Sequence, residues 1–223
     1  TGNTLDECLQ NARDYAETFN KSFIHPFDDI DTIIGQGTLG VEIVNQCSAN
    51  DFKPDIIIGC IGGGGLMSGV GTYVKNTVPS CQIVSTEPDT CASFEAAIMK
   101  DQPVAVNCTD TFVDGASVSK MGTISFDICS EVVDENIVVP VGQLCSDLLK
   151  TYDRDGIILE PAGALSLSAL HTMMEEGMSL ENSHYGTGNH ERKNIVCILS
   201  GGNNDLSRYP EIIERSQLWK RKK

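Results

Sequence analysis

The chain is short of positive charge, of aromatic residues and of paired cysteines, and each shortage narrows what it does. Its 223 residues carry 16 Lys and Arg against 31 Asp and Glu, a net charge of -15. An acidic surface repels phosphate-rich polymers and anionic lipid, so neither nucleic acid nor a membrane is expected as a partner. The one basic cluster, Lys220 to Lys223, reads as a solvated tail or linker. The nine cysteines include no Cys-x-x-Cys pair, which excludes a disulfide scaffold or a zinc ribbon. Cys60, Cys81 and Cys197 sit in apolar runs, where a free thiol acts as a small hydrophobe. A reducing, cytoplasmic compartment is therefore expected, with an organelle left open. No stretch approaches the about 18 apolar residues of a membrane span, and no secretory leader is visible. The sequons at Asn20 and Asn107 are then chance matches. The chain opens at Thr1 without an initiator methionine and stops in a charged run. The expectation is a piece cut from a longer protein.

What is present is an ordinary globular composition, 40% hydrophobic and 21% charged, arranged in alternating elements. Residues 4 to 20 have helical spacing, capped by Asn3 or Thr4, and 39 to 50 read as a second helix capped by Thr38. Asp55 to Ile61 is a continuous apolar run, as a strand buried on both faces should be. Further strands are predicted at 82–86, 136–141 and 194–199. Helices are predicted after Gly65 to about Val78, near 90–100, at 118–132, after Val141 to about Tyr152, at 162–176 and at 205–218. Strands alternating with helices predict an α/β fold, a parallel-rich sheet flanked by helices on both faces. Asn182 to Lys193 reads as an exposed excursion.

The strongest local signal is Gly62-Gly63-Gly64-Gly65-Leu66, between the buried strand and a helix. Four glycines leave no side chain between a ligand and the backbone amides, and the helix N-terminus favours negative charge. A phosphate is the expected ligand; a bare strand-to-helix turn needs fewer glycines. The dinucleotide pattern Gly-x-Gly-x-x-Gly fails at Met67 or Ser68, and Walker A fails at Val70. Glu87, at the end of the next strand, keeps a nucleotide-binding alternative alive. Two more loops precede helices: Glu160-Pro161-Ala162-Gly163-Ala164, and Ser200 to Asp205. In an open parallel sheet such loops line one crevice. Ser200 reads equally as a ligand hydroxyl or a helix cap, and Glu160 as an ionisable site group or a first-turn acid.

These three loops resemble those of the serine/threonine dehydratase and serine racemase family of pyridoxal-phosphate enzymes, of tryptophan-synthase-β-like fold (fold type II). Phe23 to Asp29, Gly35 to Thr38 with Glu42, Glu87-Pro88 and Asp114-Gly115 match as well. The resemblance runs in order over essentially the whole chain and leans to the threonine dehydratases. It implies that Gly62, Gly63, Gly64, Gly65 and Leu66 hold the phosphate of pyridoxal 5'-phosphate, and that Ser200 hydrogen-bonds the pyridine nitrogen. It implies Glu160 on the active-site side of the ring. It also implies a cation at Glu87 and the Cys91 carbonyl. The family's second acidic ligand there falls at Ser93, which weakens a divalent metal in favour of a monovalent one.

Two family motifs are missing: the Ser-x-Lys-x-Arg-Gly that carries the Schiff-base lysine, and the Ser-x-Gly-Asn-His loop. Lys53, Lys75 and Lys120 lie in other contexts, and the four histidines match no family role. The chain is thus expected to be inactive alone, with residues 1–27 ending a small domain, 28–218 forming the large cofactor domain and 219–223 starting a linker. The implied reaction of the whole protein is deamination of L-threonine to 2-oxobutanoate and ammonia by elimination of water. It belongs to isoleucine biosynthesis or threonine catabolism, and the protein forms a homodimer or homotetramer. Serine racemase or dehydratase activity on L-serine is the alternative. A non-catalytic remnant of the fold, or a nucleotide-binding domain, is the alternative of another class.

Overall fold

The computed structural model describes residue 2, residues 5–175 and residues 193–221. The expected caps Asn3 and Thr4, and the excursion at Asn182–Lys193 except Lys193 itself, lie outside them. Four strands form one parallel sheet: β1 (Ile56–Cys60), β2 (Gln82–Pro88), β3 (Glu135–Val139) and β4 (Ile195–Cys197). Their spatial order is β3-β2-β1-β4. The chain steps outward from β1 to β2 and β3, then returns to the other side of β1.

The connecting helices cover both faces, as expected. Strand side chains alternate between them. Ile56 and Ile58 of β1 and Val84 of β2 point into one core. Helix α6 (Val141–Asp155), α7 (Pro161–Glu175) and α8 (Tyr209–Lys220) close it, through Leu144, Leu148, Leu165 and Ile212. Ile57 and Ile83 point into the opposite core, closed by α3 (Gly65–Thr77), α4 (Ser93–Lys100) and α5 (Thr123–Val132). A right-handed crossover places its helices on one face when the chain moves one way along the sheet and on the other when it moves back. The reversal at β1 therefore sends α3 to α5 to one side and α6 and α7 to the other.

Helix α1 (Leu5–Thr18) agrees with its predicted span, but Tyr15 and Phe19 on its apolar side are exposed. The second helix departs from expectation. Helix α2 runs Ile30–Ala49, starting well before Thr38. Asp29 is its cap, accepting from the amides of Asp31 and Thr32 at 2.9 and 3.2 Å. Gly35 and Gly37 argue against a helix by propensity. Here α2 crosses α3 closely; a Cβ on Gly37 would lie 3.2 Å from the Gly69 carbonyl. Packing outweighs propensity. The last segment begins with a short 3-10 turn, Leu206–Arg208, before α8.

Ile58 is fully buried at the centre of the sheet, whereas Ile34 is 64% exposed. Ile58→Ala should cost about 2–5 kcal/mol by leaving a cavity that the sheet cannot collapse into. Ile34→Ala should stay within about 0.5 kcal/mol. Urea unfolding of both variants checks the contrast.

Candidate functional site

The reversal of strand order places a crevice outside the carboxyl ends of β1 and β4, where ligands of open parallel sheets bind. The glycine loop leaves β1 there, and the Ser200 loop leaves β4 on the same edge. A cleft of about 310 Å³ lies over the glycines. Its wall includes Cys60, Gly62 to Leu66, Pro26, Phe27, Asp114, Gly115 and Val118.

Gly64 is the N-cap of α3, with φ 96°, and no side chain caps the helix. The left-handed φ is one that residues with a Cβ rarely adopt. The first amides of a helix have no partner within it, so the start of α3 offers donors to an anion at the cleft. Ser68, one turn in, is not part of this offer: its hydroxyl is buried between the Ser125 carbonyl and Cys129 Sγ.

The glycines also serve packing. A Cβ on Gly63 would collide with the Phe27 ring, and one on Gly65 would lie 2.9 Å from the Phe27 carbonyl. The Phe23–Asp29 motif is thus the segment that lies along the glycine loop. Asp28 ties it down by accepting from the amides of Thr123 and Ser125, at 3.1 and 3.0 Å. His25 Nδ1 accepts from the Asp28 amide at 2.9 Å, which requires that nitrogen unprotonated. Burial, then the Arg13 charge, holds the His25 pKa below its ordinary 6.5.

Glu160 and Ser200 stand at the same edge. The Glu160 amide donates to the Gly201 carbonyl at 2.6 Å, joining the start of α7 to the loop after β4. Its carboxylate comes near Gly115 of the cleft wall, 3.7 Å from where a Cβ would stand. Burial, then the nearby Glu160 charge, pushes the Cys60 thiol up to about 11. Ser200 stands against the first turn of α7: its carbonyl packs so tightly on Gly163 that no Cβ fits there. Ser200 is not part of the 310 Å³ cleft wall.

Sequence reasoning passed over Asn204. Its carboxamide is buried, and among the described residues neither Nδ2 nor Oδ1 has a hydrogen-bond partner. Such atoms are rare without a ligand or water to receive them. Asn204 is not part of the cleft wall; the donor set at the cleft is the uncapped start of α3, and it fits a phosphate. The only signal in the sequence was the glycine-flanked loop itself.

The Glu87 carboxylate already has partners within the chain. The Glu87 side chain is wholly buried. Its oxygens accept from the amides of Phe94 and Glu95, at 3.0 and 2.7 Å, and from Asn136 at 2.9 Å. It thus holds the first turn of α4. Cys91 is joined to Cys108 in a disulfide. The other seven cysteines are free, Cys60, Cys81 and Cys197 among them. A separation of 17 residues with no repeat of the pattern carries no signal in the sequence. Among the described residues, no group of three or more His, Cys, Asp or Glu could hold a metal ion.

Burial dominates the Glu87 titration and raises its pKa above the ordinary 4.5, against the lowering by its hydrogen bonds. A raised folded-state pKa means stability present below about pH 4.5 and lost as pH rises through the raised value. Glu87→Gln removes the ionisation. In urea unfolding across pH ~4 to ~8, wild type should lose stability relative to that variant as pH rises. A difference that stays constant would refute the burial argument.

Comparison with known proteins agrees with this arrangement. The chain is 44% identical to a biosynthetic L-threonine dehydratase of Staphylococcus saprophyticus, covering 100% of this chain and 50% of that protein. It is 40% identical to the Bacillus subtilis counterpart, covering 98% and 48%. The chain spans about half the length of the curated relatives it matches. Among solved structures, processed threonine deaminase isoform 2 of Solanum lycopersicum superposes with a TM-score of 0.85. It shares 30% identity and covers 97% of this chain and 59% of its own. Maize serine racemase superposes at 0.79 with 26% identity, covering 95% and 62%. The family model described as pyridoxal-phosphate dependent enzyme matches residues 1–201, so the chain belongs to that family, with the fold type II architecture its parallel sheet displays.

Proposed function

We propose that this chain forms the phosphate-binding half of a pyridoxal-phosphate-dependent threonine ammonia-lyase. The observation that carries the reading is the uncapped, glycine-built start of α3 at the strand-order reversal. In this reading the amides of Gly62 to Leu66 bind the phosphate and Ser200 meets the ring nitrogen. Glu160 stands beside them, its carboxylate near Gly115 of the cleft wall. Pyridoxal phosphate, when bound, supplies an electron sink for the carbon that loses a proton. A serine hydroxyl at the ring nitrogen cannot protonate it as a carboxylate would, which suits loss of a β-substituent. Phe27 and the Asp28 cap keep the glycine loop in place beneath the anion.

L-Threonine is the preferred substrate in this reading, because the relatives at 40–44% identity are named threonine dehydratases. L-Serine is the secondary one. The proton transfer needs a lysine, and this chain contains no Ser-x-Lys-x-Arg-Gly motif to provide it. Glu87 is read as the cap of α4; a cation there would have to displace its amide partners. Residues 1–27 belong to a smaller domain, which the exposed Tyr15 and Phe19 support, and 28–218 to the cofactor domain. A homodimer or homotetramer in the cytoplasm completes the reading. The exposed apolar side chains Ile24, Ile30 and Ile34 support self-association.

Two outcomes are expected. In equilibrium dialysis the chain should take up pyridoxal 5'-phosphate, and Gly64→Ala should lose about tenfold or more of that affinity. The added methyl meets Ser125 Cβ at 2.7 Å in a left-handed backbone, so the amides cannot keep their aim. Borohydride should leave the cofactor dialysable, and L-threonine should give no 2-oxobutanoate from this chain alone. Borohydride fixation to a lysine, or stabilisation by NAD without any by pyridoxal phosphate, would overturn the reading.

A further inference from the structure

One wall of the cleft is held from outside by a cluster that plays no part in the site described so far. Residues 110–118 supply Asp114, Gly115 and Val118 to the cleft. Ala116 lies directly behind the glycine loop; a Cβ on Gly62 would stand 3.0 Å from its Cα. This segment contains no helix or strand, and irregular segments open easily unless something anchors them. The anchors are Arg208, in the 3-10 turn, and Arg215, in α8. Their guanidinium carbons lie 4.9 and 4.2 Å from the centroid of the buried Phe112 ring. Arg208 also donates to the Phe112 carbonyl and to Asp114 Oδ1, the latter at 3.4 Å. Arg215 Nη1 donates to Asp110 Oδ2 at 2.6 Å, and the same side chain is fixed by Glu211 at 2.7 Å.

We propose that Arg208 and Arg215 are positioning residues for the phosphate cleft. They clamp residues 110–118 against the glycine loop, so that affinity at the cleft depends on a helix outside its wall. The inference rests on the proposed reading of the cleft as a pyridoxal-phosphate site. Arginine suits the task because its planar fork stacks on a ring and donates to oxygens at the same time; lysine does only the second. Helix α8 has its own anchors in Ile212, fully buried, and in the close contact of Trp219 with Gly142. Loss of either arginine should therefore free the loop and leave the helix docked.

The test is equilibrium dialysis of pyridoxal 5'-phosphate against the chain, at a temperature well below unfolding, with amide hydrogen exchange of residues 110–118 measured alongside. Arg208→Ala and Arg215→Ala should each weaken binding about two- to thirtyfold, the range for residues acting through packed neighbours. Exchange at 110–118 should quicken, and Arg→Lys should restore binding only in part. Arg154→Ala, on the exposed end of α6, should bind as wild type. If the alanine variants do not fold, Phe112→Leu carries the same comparison, since it keeps apolar volume but removes the ring face. Variants that lose loop protection yet bind as wild type would overturn the proposal and leave a purely structural clamp. A wild-type chain that takes up no cofactor would instead overturn the reading of the cleft, and this proposal with it.

Discussion

Strand β1 carries the structure. It pairs in parallel with β2 on one edge and β4 on the other, and Ile56, Ile57 and Ile58 are almost wholly removed from water. Each such side chain is worth about 1.5–3 kcal/mol on burial, and the ladders on both sides leave its backbone no freedom to shift register. Everything at the carboxyl edge inherits that rigidity. The glycine loop starts two residues past the last residue of β1, so the direction in which the α3 amides point is set by a strand that cannot move.

The order of the sheet then converts rigidity into a site. Because the chain reverses at β1, the loops after β1 and β4 diverge toward opposite faces and leave a crevice between them. Helix α7 closes the far side, with the Glu160 amide on Gly201 and Gly163 under Ser200. Residues 23–29 close the near side. The same glycines that open the amides to a ligand let Phe27 lie against them from behind, so packing and binding ask for the same residue type for different reasons.

Carboxylates outside the cleft wall are spent on structure. Asp28 caps α5, Glu87 caps α4 and Asp147 gathers Ser168, Lys150 and His171 between α6 and α7. In each case an acid accepts from donors on neighbouring elements; at Glu87 these bonds offset only part of the burial cost. A carboxylate near the end of a strand is therefore weak evidence for a ligand until its partners are known, and Glu87 is the example.

Local chemistry determined much of this protein. A short, isoleucine-rich apolar run ended by glycines favours a strand covered on both faces, so Ile56–Cys60 was legible, and with it the alternation of strands and helices and the α/β class. The glycine tract was legible as a strand-to-helix turn, and that is where it lies, between β1 and α3; that two of its glycines also make room for Phe27 was not. Helix α2 was not: propensity reads Gly35 and Gly37 as breaks, and only the close crossing with α3 makes Gly37 an asset, while a Cβ on Gly35 would meet nothing. Tertiary structure alone decided the strand order, and hence which loops share the crevice, since pairing partners are set by long-range packing that no local pattern records. It decided likewise that Glu87 serves α4, that Cys91 meets Cys108, and that Phe112 meets two arginines about a hundred residues further along the chain.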